Sequence, residues 1–377
     1  MNIPIYRPDL SGNETKYVNE CLTTTWISSK GGFIDKFERS FSDFVGVKSV
    51  TSVSNGTVAL HLAIEALGLT RGDEVIIPAL TYVASANVIA QVGAIPVFVD
   101  SCPDTWQVDV TAVERAITPR TRAVMAVHVY GLPCDVLALR KLCDLHGLFL
   151  IEDCAEALGS FVGATHVGAI GDIATFSFYG NKTITTGEGG MVVCRDPALL
   201  TRCASLKNQG VSPDRQYWHD TVAFNYRMTN ICAAIGAAQM ERISGFIRRK
   251  REIADAYRQA FSDSGLIFHG ETPGRTHSYW MCSVLLPQNV DRDAARRRLS
   301  EGGIETRPVF YPVSQFPMYR SRYVPTPVAN DIAARGINLP SWPGLSDSQV
   351  KEVATAVLRA VSDFQSAAAS IQTRAKL

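Results

Sequence analysis

Short apolar runs alternate with amphipathic stretches between residues 47 and 194, and the rhythm predicts the architecture. Val47–Val53, Glu74–Ile77, Ile95–Val99, Ala123–Val127 and Leu148–Ile151 are rich in Val, Ile, Leu and Ala, and runs of this length are those of strands buried on both faces. Helical periodicity occupies Ala84–Gln91 and Val136–His146, and Ser54-Asn-Gly-Thr57 predicts a turn that opens another helix. Strands alternating with helices predict a parallel sheet covered on both sides, which excludes a β-sandwich or a helical bundle. The pattern then sharpens. Ile173, Thr175 and Ser177 share one face and Phe176 and Phe178 the other, so a strand runs out towards Lys182, and Met191-Val192-Val193 predicts the next strand. Gly187, Gly189 and Gly190 between them suit a tight loop.

Further along, residues 195–245 read as helical, with an apolar helix over Ile231–Met240. Ile253, Ala254, Tyr257 and Phe261 line one face of the following helix, with Arg248, Lys250, Arg251 and Arg258 elsewhere on it. We read this helix as the connection into a smaller domain, giving a large domain over 1–245 and a small one over 246–377. In the latter, strands over Tyr279–Leu286, a helix over Asp291–Ser300 and Thr306–Pro312 predict an α+β layer. Residues 1 to 35 are polar, with Gly and Ser turns round Trp26, and are expected to lie across the large domain because they cannot form a core alone.

Composition narrows the class. Of the 377 residues 46% are hydrophobic and 19% charged, and Lys+Arg 37 against Asp+Glu 36 leaves a net charge of +1. No overall field draws such a chain to nucleic acid or to an anionic membrane. The basic run Arg248–Arg251 falls in a helical pattern and reads as its solvated face. Nine cysteines without a C-x-x-C pair argue against a disulfide framework and a zinc cluster, and point to a reducing, cytoplasmic setting. The start of the chain has no apolar core for export. The longest apolar stretch, Tyr82–Val99, is interrupted by Ser85, Asn87, Gln91, Gly93 and Pro96 and is a helix followed by a strand, not a membrane span.

Chemistry concentrates at two strand ends. Lys182 follows one strand and Asp153 ends another, 182 − 153 = 29 residues apart, and ligands in open α/β sheets bind at the carboxyl ends of strands. A partly desolvated lysine can condense with an aldehyde, and a buried carboxylate can keep a pyridine nitrogen protonated. Together they suit an aldehyde-bearing pyridine cofactor. The strand–turn–helix at Ser54-Asn-Gly-Thr57 is the arrangement whose free amides hold a phosphate, here those of Gly56 and Thr57, and an ordinary helix cap has the same pattern. His128, at another strand end, is either a ring contact or a hydrogen-bonded structural histidine.

Asp153-Cys-Ala-Glu-Ala, Phe176-Ser-Phe and Asn181-Lys182-Thr-Ile-Thr-Thr-Gly-Glu-Gly-Gly190 resemble the signature of the pyridoxal-phosphate-dependent nucleotide-sugar aminotransferases, over nearly the whole chain. The resemblance implies the α/β architecture of aspartate aminotransferase, fold type I, with a mostly parallel seven-stranded sheet and a smaller α+β domain. It implies pyridoxal 5'-phosphate joined to Lys182, Asp153 at the ring nitrogen, Tyr82 against the ring, and Ser177 with Gly56 and Thr57 at the phosphate. Glu156 stands where many relatives have Gln beside the cofactor hydroxyl. An asparagine at the position of Asn225 reaches the neighbouring subunit's phosphate, which implies a homodimer with shared active sites. The resemblance sets the Trp26–Gly32 segment, with Trp26, Ser28 and Lys30, near the sugar nucleotide. Trp218, His219, Trp280, Arg307 and Tyr311 are candidates for guanine and diphosphate contacts. Trp26-Ile-Ser-Ser, Ala223-Phe-Asn-Tyr-Arg-Met-Thr-Asn and Gly336-Ile-Asn-Leu-Pro-Ser-Trp-Pro-Gly-Leu resemble members that aminate GDP-4-keto-6-deoxymannose with L-glutamate as donor, for polysaccharide or glycoside synthesis. A UDP- or dTDP-linked 4-keto or 3-keto sugar is the alternative substrate. Related sugar dehydratases carry histidine at the lysine position, so Lys182 favours amino transfer. A non-catalytic regulator would need no such lysine, and a nicotinamide dehydrogenase lacks its G-x-G-x-x-G.

Overall fold

The computed structural model describes residues 2–322 and 324–374. Its large sheet is built from β1 (Val50–Val53), β2 (Glu74–Pro78), β3 (Ile95–Val99), β4 (Thr121–Val127) and β5 (Phe149–Asp153), then, past the two-residue β6 (Phe161–Val162) and β7 (Thr165–His166), from β8 (Ile173–Ser177) and β9 (Gly190–Cys194). The order is β1-β9-β8-β5-β4-β2-β3. β9 runs antiparallel to both neighbours and the remaining pairs are parallel. This is the mostly parallel seven-stranded sheet of fold type I. Helices α1 (Glu14–Thr24), α2 (Gly32–Val45), α3 (Gly56–Ala66), α4 (Ala84–Gln91), α5 (Val110–Ala116), α6 (Val136–His146), α7 (Pro197–Lys207) and α8 (Asn230–Met240) accompany it.

The alternation in β8 divides the core. Phe176 and Phe178 meet α2, whose Phe33, Phe37, Phe41 and Val45 recur every fourth residue along one buried face. Ring centroids of Phe41 and Phe176 lie 5.0 Å apart, and those of Phe37 and Phe178 5.1 Å apart. α8 completes this layer at Gly236, where a Cβ would stand 2.8 Å from the Phe37 ring, so the missing side chain lets the helices meet. Ile173 and Val192 pack instead with α3 and α4 in the opposite layer.

After α9 (Ile243–Ala260), β10 (Ile267–Phe268), β12 (Cys282–Leu285), β13 (Arg307–Pro308) and β14 (Gly336–Leu339) form a second sheet in the order β10-β12-β14-β13, and β11 (Arg275–Thr276) joins β6 and β7. α10 (Arg292–Glu301), α11 (Pro327–Arg335) and α12 (Asp347–Arg374) complete the chain. Among the described residues no helix is long and apolar enough to cross a membrane.

Four expectations are corrected. The polar start contains α1, and Ile3 bridges to Ile304 and packs with the second sheet's cluster, so this segment reaches beyond the large sheet. β1 begins three residues late because Val47 donates its amide back to Ser42, finishing α2 at Gly46. β12 starts at Cys282 because Tyr279 sits at φ 52°, outside strand geometry. Lys250 is not on a solvated face but wholly buried. The helical reading of 195–245 holds for α7 and α8, which flank an irregular segment.

Candidate active site

The carboxyl ends of β4, β5 and β8 open into a cleft of about 710 Å³. Asp153, the last residue of β5, is 5% exposed. Its Oδ1 accepts the Ala155 amide at 3.1 Å, and its Oδ2 accepts the Ser85 hydroxyl at 2.8 Å. Ser85 lies in the first turn of α4, and its Oγ stands 3.0 Å from the Thr81 hydroxyl. Burial pushes the Asp153 carboxyl above its ordinary range, while these donors and the Lys182 and His128 charges pull it back.

Lys182 enters from the turn after β8, its amide bonded to the Tyr179 carbonyl at 2.9 Å. Its Nζ stands 3.9 Å from Glu156 Oε1 and 4.0 Å from the centroid of the Trp280 ring. Burial holds the amine below its usual pKa, opposed by the Glu156 and Asp153 charges. Glu156 is pushed up to about 7 by burial, opposed by Lys182 and by the Tyr130 amide, which donates to its Oε2 at 2.7 Å. The Glu156 bond also holds Tyr130 in the left-handed region at φ 58°. On the far side of the cleft, Asn55 caps α3 by accepting the Val58 amide at 2.9 Å, and the first amides of a helix, here those of Gly56 and Thr57, have no partner within it. A Cβ at position 56 would come within 2.6 Å of the Ser177 Cβ, so glycine lets the helix start and the Ser177 hydroxyl share one corner.

Gly56, Thr57, Tyr82, Asp153, Glu156, Ser177, Lys182, Trp280 and Arg307 all line this cleft. Tyr82 is 58% exposed, with Phe310 at a ring separation of 5.8 Å. Trp280, expected to touch substrate, lies under Lys182 and donates Nε1–H to the Asn181 carbonyl at 2.7 Å. Arg307, another substrate candidate, lines the cleft, and the remaining ones lie off the cleft of their own chain. Trp26, Ser28 and Lys30 belong to a segment pinned to the start of α8, where the Asn230 amide bonds the Ser28 carbonyl at 2.6 Å and its side chain the Trp26 carbonyl at 2.7 Å. Arg215 covers the Trp218 ring at 4.1 Å, and His219 Nδ1 bonds the Gln209 carbonyl at 2.8 Å. The Tyr311 hydroxyl accepts from Arg292 at 3.0 Å. Asn225 accepts two bonds from Arg227 and is likewise outside its own cleft.

His128 is structural: Nδ1 accepts the Cys134 amide at 3.0 Å and Nε2 faces Glu152 at 3.1 Å, leaving neither nitrogen free for a ring or for a metal shared with Glu152 and Cys154. Ser85 and Tyr130 went unnoticed in the sequence. Ser85 had a signal, since it opens a helix just past a strand end. The strain at Tyr130 had none, because it depends on Glu156, 26 residues on.

Comparison with known proteins agrees with this geometry. The model of the DegT/DnrJ/EryC1/StrS aminotransferase family matches residues 8–358. The chain belongs to that family. DegT-family aminotransferases are pyridoxal-phosphate-dependent, and so is this enzyme, a transferase of nitrogenous groups. It is 54% identical over 359 residues to a GDP-perosamine synthase of Vibrio cholerae, covering 94% of this chain and 98% of that protein. It is also 54% identical over 361 residues to a GDP-perosamine synthase of Escherichia coli O157:H7, covering 96% and 99%. The aminotransferase TlmJ from Streptoalloteichus hindustanus superposes with a TM-score of 0.92 at 34% identity, covering 96% of this chain and 100% of that one.

The cleft fits the family's cofactor on its own evidence. Asp153 is a buried acid whose pKa burial raises, and a cationic ring nitrogen would offset that. Lys182 is an amine of lowered basicity, as condensation with an aldehyde requires. The amide corner at Gly56 suits a phosphate.

Proposed function

We propose that this enzyme transfers the amino group of L-glutamate to C4 of GDP-4-keto-6-deoxy-D-mannose, yielding GDP-perosamine and 2-oxoglutarate for polysaccharide or glycoside synthesis. The observation that carries the substrate is the 54% identity, over nearly the full length of both chains, to proteins named GDP-perosamine synthase. In this reading the protein acts as a cytoplasmic homodimer whose active sites are shared between subunits.

Bound pyridoxal phosphate supplies an aldehyde carbon and an electron-accepting pyridine ring. Lys182 Nζ would hold the aldehyde and would be the group that moves the proton at the donor's α-carbon. An amine does both because it is a nucleophile when neutral and an acid when protonated, and burial brings the two forms nearer in energy. Asp153, fixed by Ser85 and the Ala155 amide, holds the ring nitrogen positive. Gly56, Thr57 and Ser177 hold the phosphate, with Asn225 reaching that of the partner subunit. Tyr82 covers the ring face, and Arg307, at the cleft mouth, is the base available to an anionic part of either substrate.

The test is to incubate the protein with glutamate and GDP-, UDP- and dTDP-linked keto sugars and to identify the product by mass and NMR. A GDP-linked 4-amino sugar is expected. Amination of a dTDP or UDP sugar alone would reassign the substrate. Lys182→Ala should still bind sugar nucleotide but show no multiple turnover, and turnover in that variant would remove the lysine's role.

A further inference from the structure

α9 carries four consecutive basic residues, and they part company. Arg249 reaches Asp347 at 2.7 Å and Arg251 reaches Glu271, both at the rim. Lys250 turns inward and is 0% exposed. Among the described residues no carboxylate pairs with it, and the one ionisable group acting on it is the Cys282 thiol. An ammonium buried without an anion is costly, and burial pulls its pKa down to about 8. A methionine would fill the same space at no such cost, so the donors of Lys250 call for an explanation.

Those donors meet the walls of the Lys182 site. Nζ bonds the Trp280 carbonyl at 3.2 Å and the Ser341 carbonyl at 2.9 Å, and lies 5.5 Å from the centroid of the Tyr6 ring. Trp280 is the ring beneath Lys182 Nζ, its indole N–H fixed to the Asn181 carbonyl. The Tyr6 hydroxyl donates to the carbonyl of Lys182 itself. Trp280 follows Tyr279, which sits in the left-handed region at φ 52°, so the backbone there needs holding. Three segments remote in sequence, around residues 6, 280 and 341, thus converge on one buried cation, and two of them, through Trp280 and Tyr6, also contact Lys182.

We propose that Lys250 is a positioning residue for Lys182: by tying the Trp280 and Ser341 carbonyls and facing the Tyr6 ring, it fixes the aromatic wall beneath the Lys182 amine and the tyrosine that holds the Lys182 backbone. The inference rests on Lys182 being the cofactor-bearing lysine. With Lys250 removed, the Trp280 wall loosens, water reaches the Lys182 nitrogen, and its cationic form gains solvation. The groups facing that nitrogen, Glu156 and Asp153, stay in place.

The test uses the full chain, freed of cofactor and reloaded with pyridoxal phosphate. It measures the pH midpoint of the cofactor's visible band, the rate at which the band appears on loading, and the melting temperature. Lys250→Met is expected to raise the midpoint by about half a unit or more and to slow loading by about threefold. Lys250→Arg, which keeps a charged donor, should return the midpoint towards the wild-type value. Tyr6→Phe, which frees the Lys182 carbonyl and leaves the contacts of Lys250 in place, should move it in the same direction as Lys250→Met with little change in melting temperature. If Lys250→Met does not fold, Lys250→Gln, which keeps a neutral donor, takes its place and should raise the midpoint in the same sense. Wild-type midpoint and loading rate in a folded Lys250→Met, or in Lys250→Gln where Lys250→Met does not fold, overturn the proposal whatever the melting temperature and whatever Tyr6→Phe does. Loss of the band in wild type, or its retention in Lys182→Ala, would instead defeat the assignment of Lys182.

Discussion

Glu156 and Lys182, 3.9 Å apart in a buried site, show how single residues set the chemistry. Burial raises the pKa of Glu156 to about 7 from its ordinary 4.5. Between those values the folded chain holds a proton that the unfolded chain has lost, so this residue's contribution is fully present at low pH and is lost as pH rises through 7. Glu156→Gln, which cannot ionise, should therefore gain stability relative to wild type between about pH 5 and pH 7.5, by about 1–3 kcal/mol. Denaturant melts of the cofactor-free proteins at the two pH values check this, and a difference independent of pH would contradict it. Ser85 acts on Asp153 in a simpler way, through one hydroxyl at 2.8 Å. Ser85→Ala should cost about 1 kcal/mol in stability and weaken cofactor retention, measured by dialysis against buffer.

At the scale of the element, the start of α3 and the packing of α2 carry different duties. Asn55→Ala removes the cap of α3 and should destabilise the chain by about 1 kcal/mol, with a larger proportional loss in pyridoxal-phosphate affinity than in melting temperature because the freed Val58 amide lies at the phosphate corner. Phe37→Ala leaves that corner untouched and opens a hole between α2, α8 and β8. It should cost about 3–5 kcal/mol and leave cofactor affinity per folded molecule unchanged, as fluorescence titration would show.

For the whole molecule, the irregular segment between α7 and α8 holds Trp218, His219 and Asn225 away from their own cleft, with Tyr217 and Val222 exposed on it. If Asn225 serves the partner subunit's phosphate, an inactive Lys182→Ala chain and an impaired Asn225→Ala chain should complement one another. Random re-pairing gives half heterodimers, each with one intact site, so mixing should restore about one quarter of the wild-type activity per subunit. No recovery, with heterodimers confirmed by native mass spectrometry, would show that Asn225 does not serve the partner subunit's site. The proposed division of the chain near residue 246 falls within α9, and Trp280 and Val309 pack into the same apolar cluster as β2 and β4.

The sequence alone determined the parallel sheet, the exact span of α4 and α6, and the meeting of Asp153 with Lys182. These depend on local periodicity, on caps such as Asp135 and Gly147, and on the rule that ligands gather at strand ends. Only the tertiary structure decided the rest. It set Trp280 beneath the amine, put the strain into Tyr130, and turned Lys250 inward from a helix whose neighbouring Arg249 and Arg251 form ion pairs with carboxylates. Each of these depends on contacts between residues far apart in the chain, and no pattern of neighbouring residues encodes which distant carbonyl a lysine will meet.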